Sequence, residues 1–318
     1  MRAVRMAAPR KMEIVEAPDP EVGQNQVLVR MKEIAVCGSD LITFLGTHPR
    51  KYPYELGSPA HECVGIVVES KLDGYRPGDR VLYFPPPTIE NALRQLVAAG
   101  ADQLLKLPDH GSITEWMMAQ LLGTVIRTTR ELGSVLGEKV VVIGQGPVGQ
   151  LFNAMMWNLG ARKIIALDKV ADRLKVSPKM HATHTFQVGR DDVAKAVLDL
   201  TDGKGGDLVI EAAGYEDAHN LMIDLVRVDG RAVMFGVPKH EKSTVDMYRW
   251  YRKRAKLYTF HRPNVEDDIH LALELIVEGR IDVRPILTHR FPFDRVQEAY
   301  DLFADRKDGC IKVIVEFP

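Results

Sequence analysis

The segment Gly144-Gln-Gly146-Pro-Val-Gly149 constrains this chain more than any other. It follows Lys139-Val-Val-Val-Ile143, a short continuous apolar run of the kind that forms a strand buried on both faces. It opens Pro147 to Leu159, where apolar residues recur with helical spacing. A G-x-G-x-x-G alone is a weak signal, because glycines are common in turns. Here it lies between a buried strand and a helix. Asp168 stands 19 residues beyond Gly149, at the end of a second apolar run, Lys163-Ile-Ile-Ala-Leu167. That context is the dinucleotide fingerprint.

Each part has a physical reason. Gly144 permits a tight turn, Gly146 lets the backbone approach a pyrophosphate, and Gly149 lets helix and strand pack closely. Pro147 and Val148 begin the helix, whose first N–H groups and positive dipole end face the phosphates. Asp168 would accept hydrogen bonds from the adenosine ribose. A carboxylate there repels a 2′-phosphate, which favours NAD over NADP, and Lys169 beside it weakens that preference. Arg173 is placed to flank the adenine end. The bland alternative is a β-α-β turn with no ligand.

The surrounding pattern agrees. Asp207–Ile210 and Arg231–Phe235 read as further strands alternating with helices, which predicts a parallel sheet with crossover helices. The first ~120 residues differ, with short β-like runs such as Val27–Met31 and Gly65–Glu69 and a turn at Tyr75-Arg-Pro-Gly-Asp79 leading into a strand. After about residue 262, helices are expected over Asp267–Glu278, ended by Gly279, and over Phe293–Phe303, with a last strand at Ile311–Glu316. A tail of roughly 55 residues is too short for a comfortable domain and should pack back onto another part.

At 318 residues the chain should hold roughly two domains. A net charge of −1 makes no electrostatic case for nucleic acid or an anionic membrane as partner. Tyr248-Arg-Trp-Tyr-Arg-Lys-Arg-Ala-Lys256 interleaves aromatic and basic residues like a nucleic-acid patch, but an amphipathic helix with a solvated basic face explains it as well. No stretch approaches the ~20 apolar residues of a membrane span, and the N-terminus has no signal-like apolar core. Cys37, Cys63 and Cys310 form an odd, sparse set, which argues against a disulfide framework and for a reducing, cytoplasmic setting.

The second cluster of chemistry is Cys37-Gly-Ser39-Asp40, with His61-Glu62 beginning 24 residues after the cysteine. Thiolate and imidazole together suit zinc better than magnesium or calcium. Asp40 could orient a histidine ligand, and Ser39 could hydrogen-bond an oxygen at the metal. Taken singly, each residue has a plain reading: a small buried cysteine, or a satisfied core histidine.

In combination these motifs resemble the zinc-dependent medium-chain dehydrogenase/reductase superfamily of alcohol, sorbitol and threonine dehydrogenases. Cys37-Gly-Ser-Asp40 is similar to its first-ligand motif, Ala60-His61-Glu62-x-x-Gly65 to its G-H-E-x-x-G, and Arg76-Pro-Gly-Asp-Arg-Val81 to the turn before its substrate region. Gly144–Gly149, Asp168 and Asp207-Leu-Val-Ile-Glu-Ala-Ala-Gly214 match its cofactor domain. The resemblance implies an α/β protein with a discontinuous, mostly-β GroES-like catalytic domain, residues 1–122 with 263–318, and a Rossmann domain, residues 123–262. It implies NAD-linked hydride transfer between a secondary alcohol or polyol and its ketone. Cys37 and His61 become zinc ligands. Glu62 is a ligand or a carboxylate that assists ligand exchange. Ser39 becomes the first member of a proton relay beside Asp40. A homodimer or homotetramer is also implied.

The chain departs from the family pattern in three places. No cysteine lies between Cys63 and Cys310, so the four-cysteine structural zinc of many relatives has no ligands and a single catalytic zinc is expected. Gln120 stands where relatives place a charged third ligand. Ile42 stands where the polyol branch often has a relay histidine, with His48 the nearest in sequence. Tyr83 or Phe84 and Trp116-Met117 are candidate pocket walls, though core packing explains them equally well. The alternative enzyme is a metal-free quinone or enoyl-type reductase of the same superfamily, which Gln120 favours and the Cys37, His61, Glu62 set disfavours.

Overall fold

The computed structural model describes residues 1–47, 51–86, 91–259 and 263–318, so His48 lies outside the described residues. The chain forms two compact units, Met1–Gln120 with Leu287–Pro318, and Leu121–Ile286.

The first unit is built on an extended sheet. Strands Val27–Ala35, Glu62–Ser70, Arg80–Tyr83 and Leu104–Lys106 follow one another antiparallel, and Leu96–Ala99 pairs with the first of them. The tail completes it. Lys312–Glu316 pairs antiparallel with Val27–Ala35, and Leu287–Pro292 runs parallel beside Lys312–Glu316. A separate hairpin joins Arg2–Ala8 to Lys11–Glu16. Val313, Ile314 and Val315 are all fully buried, and each such side chain contributes about 1.5–3 kcal/mol of hydrophobic stabilisation. The tail is therefore integral to the unit, which is why it need not fold alone.

The second unit holds six parallel strands in the order His184–Gln187, Lys163–Asp168, Lys139–Ile143, Gly206–Glu211, Val226–Met234, Lys256–Thr259. Counted in chain order this is 3-2-1-4-5-6, the doubly wound nucleotide-binding topology. The apolar runs of its central strands, residues 140–143, 164–167 and 208–210, are buried, as strands covered on both faces require.

Residues 263–286, expected with the tail, cluster instead with the second unit. The reason is packing on a helix that the sequence reading did not foresee, Ile113–Leu132. A Cβ at Gly123 of that helix would come within 2.7 Å of Ile269 Cγ1, so the glycine allows close approach there. The Arg130 guanidinium reaches the buried Asp268 carboxylate at 3.0 Å. The basic-aromatic run is also not one helix. It forms Met247–Lys253, and Lys256–Thr259 is the sheet's edge strand. Arg249 pairs with Asp224 and Asp246, and Arg254 with Asp229, so much of its charge is neutralised. Among the described residues, no helix is long and apolar enough to cross a membrane.

Candidate functional site

Sheet register explains why Cys37 and His61 meet. Ala35 pairs with Glu62 across antiparallel strands, so the residues just beyond one strand face those just before the other. One ligand atom each of Cys37, His61 and Glu62 lie within 4.8 Å of one another. Tetrahedral zinc with bonds of 2.0–2.3 Å holds its ligand atoms about 3.3–3.8 Å apart, so a small contraction closes the set on a metal.

Asp40 organises the cluster from beneath. It begins the helix Asp40–Leu45 and is fully buried. Its Oδ2 accepts from the Cys37 backbone N–H at 2.9 Å, and its Oδ1 lies 3.1 Å from His61 Nδ1. With Nδ1 turned to the carboxylate, Nε2 is the nitrogen a metal would use. Burial disfavours a charged His61 ring. The Cys37 thiolate and Asp40 carboxylate outweigh it and hold the pKa well above the ordinary imidazole value. The negative field that keeps a proton on His61 is also the field that would hold a dication.

Ser39 Oγ donates to Cys37 Sγ at 3.2 Å. The residue expected to begin a proton relay thus hydrogen-bonds the Cys37 sulfur in this structure. Glu62 is buried, with Oε2 2.5 Å from Lys312 Nζ. This contact is an ion pair by distance and not an aligned hydrogen bond, and among the described residues neither carboxylate oxygen has a hydrogen-bond partner. The ammonium donates instead to the Val36 carbonyl at 3.1 Å. Oε1, with no cation against it among the described residues, fits a metal ligand. Lys312 went unnoticed in the sequence; the only available signal was a lysine opening an apolar strand.

Gln120 sits in the Ile113–Leu132 helix with its Oε1 buried and without a hydrogen-bond partner among the described residues. Cys63 is a core thiol: its Sγ donates to the Tyr83 carbonyl at 3.0 Å, and burial, reinforced by the Glu62 and Asp40 carboxylates, pushes its pKa well up. Tyr83, Trp116 and Met117 are buried as well, in line with core packing.

In the second unit, Gly144 ends its strand at φ +92°, a conformation that suits glycine. A Cβ at Gly149 would lie 1.8 Å from the Gly144 carbonyl oxygen, so no side chain fits. Gly146 differs. It caps the helix Pro147–Asn158 in extended conformation, and a Cβ there would meet nothing nearer than Arg173 Nη1 at 3.9 Å. That open space above a helix N-terminus, with Pro147 and Val148 in its first turn, is where phosphate can approach. The Arg173 guanidinium stands beside Gly146, the phosphate side of the loop.

Asp168 ends its strand and is largely buried. Its Oδ2 accepts from the Gln145 N–H at 2.5 Å and its Oδ1 from the Val170 N–H at 2.7 Å. The carboxylate expected to bind ribose therefore also ties the glycine loop to the second strand. Lys169 pairs with Asp217, which offsets its charge beside that carboxylate.

Sequence reasoning missed what holds the loop from behind. The Gln145 side chain is buried, and its Oε1 accepts from Asn153 Nδ2 at 2.7 Å and Ser177 Oγ at 3.0 Å. Gln150 Nε2 donates to Ser177 Oγ and to the Arg173 carbonyl. Amides on a helix's buried face were the available signal. At the neighbouring strand end, buried Glu211 accepts from the Ala213 and Gly214 N–H groups at 2.6 and 2.7 Å, with His219 Nε2 3.4 Å away.

Comparison with known proteins gives family matches over most of the chain. A family model described as alcohol dehydrogenase GroES-like domain matches residues 23–121, and one described as zinc-binding dehydrogenase matches residues 147–278. A sorbitol dehydrogenase of Bacillus subtilis (strain 168) is 24% identical over 346 residues, covering 99% of this chain and 97% of that protein. An alcohol dehydrogenase structure from Thermus sp. ATN1 is 26% identical, with a TM-score of 0.83 over 100% of both chains. A putative zinc-binding dehydrogenase structure from Sinorhizobium meliloti 1021, bound to NADP, is 22% identical, with a TM-score of 0.84 over 99% of this chain and 98% of that one.

Proposed function

Because this chain belongs to the zinc-dependent medium-chain dehydrogenase/reductase superfamily, with a GroES-like domain and a Rossmann-like parallel sheet, we propose that it interconverts a secondary alcohol or polyol and its ketone with NAD and one catalytic zinc. The observation that carries this reading is the Cys37, His61, Glu62 cluster, with a buried carboxylate oxygen that has no hydrogen-bond partner among the described residues, in a chain that also has a G-x-G-x-x-G loop between strand and helix. A metal-free reductase has no need of that set. Four closely spaced cysteines for a structural zinc are missing from the sequence.

Bound zinc supplies Lewis acidity to an alcohol oxygen, and the nicotinamide supplies a two-electron acceptor. The chain's own residues do the rest. Cys37, His61 and Glu62 Oε1 hold the metal, Asp40 orients the imidazole, and Lys312 keeps Glu62 Oε2 engaged. Ser39 takes the alcohol proton when substrate is present and supports the Cys37 thiolate otherwise. Gly146, with the first N–H groups of its helix, receives the pyrophosphate, and Arg173 stands at its side. Asp168 turns its remaining acceptor capacity to the ribose and disfavours a 2′-phosphate, with Lys169 neutralised by Asp217.

Self-association is part of the proposal. The edge strand Lys256–Thr259 leaves one side of its backbone unpaired within the chain's sheet, and Met247, Tyr248, Tyr251 and Leu257 nearby in sequence are exposed. Such an edge invites pairing with a second copy. Light scattering at micromolar protein would show a dimer or tetramer. Free cysteines throughout fit a reducing compartment, and we assign the protein to the cytoplasm.

The test is metal analysis of protein purified without chelator, with NADH absorbance followed across a panel of polyols and secondary alcohols. Near-stoichiometric zinc and NAD reduction with at least one alcohol are expected. A chain that holds no zinc, even after zinc is added, and oxidises no alcohol would end this reading.

A further inference from the structure

Tyr300 lies far from Cys37 and His61 in sequence, on the tail helix Val296–Asp305, and is fully buried. Its ring packs against Phe44, with centroids 5.4 Å apart. Its hydroxyl donates to the Pro59 carbonyl, two residues before His61, and lies 3.4 Å from Asp40 Oδ2. Asp40 is the carboxylate that faces His61 Nδ1 and takes the Cys37 N–H. One phenol therefore touches both the backbone that delivers His61 and the group that orients its imidazole.

We propose that Tyr300 is a positioning residue for the metal centre, fixing the Pro59–His61 segment and the Asp40 carboxylate together through its hydroxyl. This rests on the reading that Cys37, His61 and Glu62 bind zinc. The physical case is burial. A buried phenol holds its hydroxyl in one place because the ring cannot move, so the carbonyl and carboxylate it meets are restrained too. Asp40 already makes two contacts at this site, and the phenol limits the direction in which it can swing. Groups that orient a metal ligand in this way change metal affinity 10–100-fold when removed.

Tyr300→Phe keeps the ring and deletes only the hydroxyl, and Tyr300→Met deletes it with a different shape should the first variant not fold. Phe44→Leu disturbs the ring packing and keeps the hydroxyl. Zinc affinity of the metal-free proteins is measured by competition with a chromophoric chelator, and cobalt(II) spectra report ligand geometry. We expect the hydroxyl deletions to weaken zinc binding by roughly tenfold or more and to shift the cobalt bands. Phe44→Leu should lower the melting temperature and weaken zinc binding by less than Tyr300→Phe does, since the hydroxyl and both of its partners remain. The Asp40→Asn/Tyr300→Phe double variant should bind zinc more weakly than Asp40→Asn, but by less than the two single losses combined, since Tyr300 acts partly through Asp40. Wild-type affinity in Tyr300→Phe overturns the proposal, as does an equal loss in Phe44→Leu or independent additive losses with Asp40→Asn. Wild-type protein that binds no zinc overturns the zinc reading itself, and this proposal with it.

Discussion

Lys312 Nζ stands 2.5 Å from Glu62 Oε2, with both side chains shut off from solvent. The lysine comes from the last strand and the glutamate from the residue after His61. Desolvating two charges is expensive, and their attraction offsets that cost only where both remain. The pair divides the carboxylate. One oxygen faces the lysine, the other is buried without a hydrogen-bond partner among the described residues, and the carboxylate as a whole brings an oxygen within 4.8 Å of the Cys37 and His61 ligand atoms. Glu62 can thus serve a metal without leaving its cation.

Lys312→Met should destabilise the metal-free protein by about 3–5 kcal/mol, because it strands a buried carboxylate. Zinc should restore part of the loss, since a cation at Oε1 replaces the one removed. Urea unfolding with and without zinc measures both effects, and an unchanged midpoint in the metal-free variant would show that the pair contributes nothing net.

Ser39→Ala separates two roles of one hydroxyl. As proton acceptor it should cost on the order of 10²–10⁴-fold in kcat/KM, with zinc content unchanged. If its only task were the hydrogen bond to Cys37 Sγ, zinc would be lost and the remaining metal-loaded enzyme would turn over normally. Steady-state rates normalised to bound zinc distinguish the outcomes.

Gly146→Ala and Gly149→Ala should behave oppositely. A methyl at Gly146 enters open space, so the melting temperature should hold while the KM for NAD rises. A methyl at Gly149 would lie 1.8 Å from the Gly144 carbonyl oxygen, and overpacking of this kind typically costs about 1–3 kcal/mol. Thermal melts set beside cofactor titrations would expose a failure of either half.

Thiol labelling should single out Cys37. It is the one cysteine of the three not fully buried. Burial and the neighbouring carboxylates raise the Cys63 pKa well above the ordinary thiol value, so near pH 8 it should stay protonated and unreactive. A raised folded-state pKa stabilises the fold fully below the unfolded value of about 8.5, and that contribution fades as pH rises towards the folded value. Peptide mapping after alkylation should find Cys37 modified in metal-free protein and protected by zinc. Modification of Cys63 at the same rate would contradict this assignment.

Both chemical clusters were legible in the chain because residue type and spacing carry them. Cys37, Asp40 and His61 announce a thiolate, a carboxylate and an imidazole. The glycine pattern between strand and helix announces the phosphate turn. Other features were not legible. The helix Ile113–Leu132 has no spacing that names its partner, and it is Gly123 and Arg130 on it that take up Ile269 and Asp268. The contacts of Asp168 with Gln145 and Val170 depend on how the loop curls back over the strand end.

The sequence by itself determined the parallel Rossmann unit, the mostly-β companion and the atoms available for zinc and a dinucleotide, since these follow from periodicity, turn chemistry and donor type. Only the tertiary structure decided which groups stand behind those atoms. Lys312 reaches Glu62, and Tyr300 reaches Asp40, because the tail strand pairs with Val27–Ala35 in one register and brings its helix with it. Periodicity tells which face of a strand is buried. It does not tell which distant strand lies beside it, and that neighbour, with its helix, supplies the charge and the hydroxyl behind the Cys37, His61, Glu62 cluster.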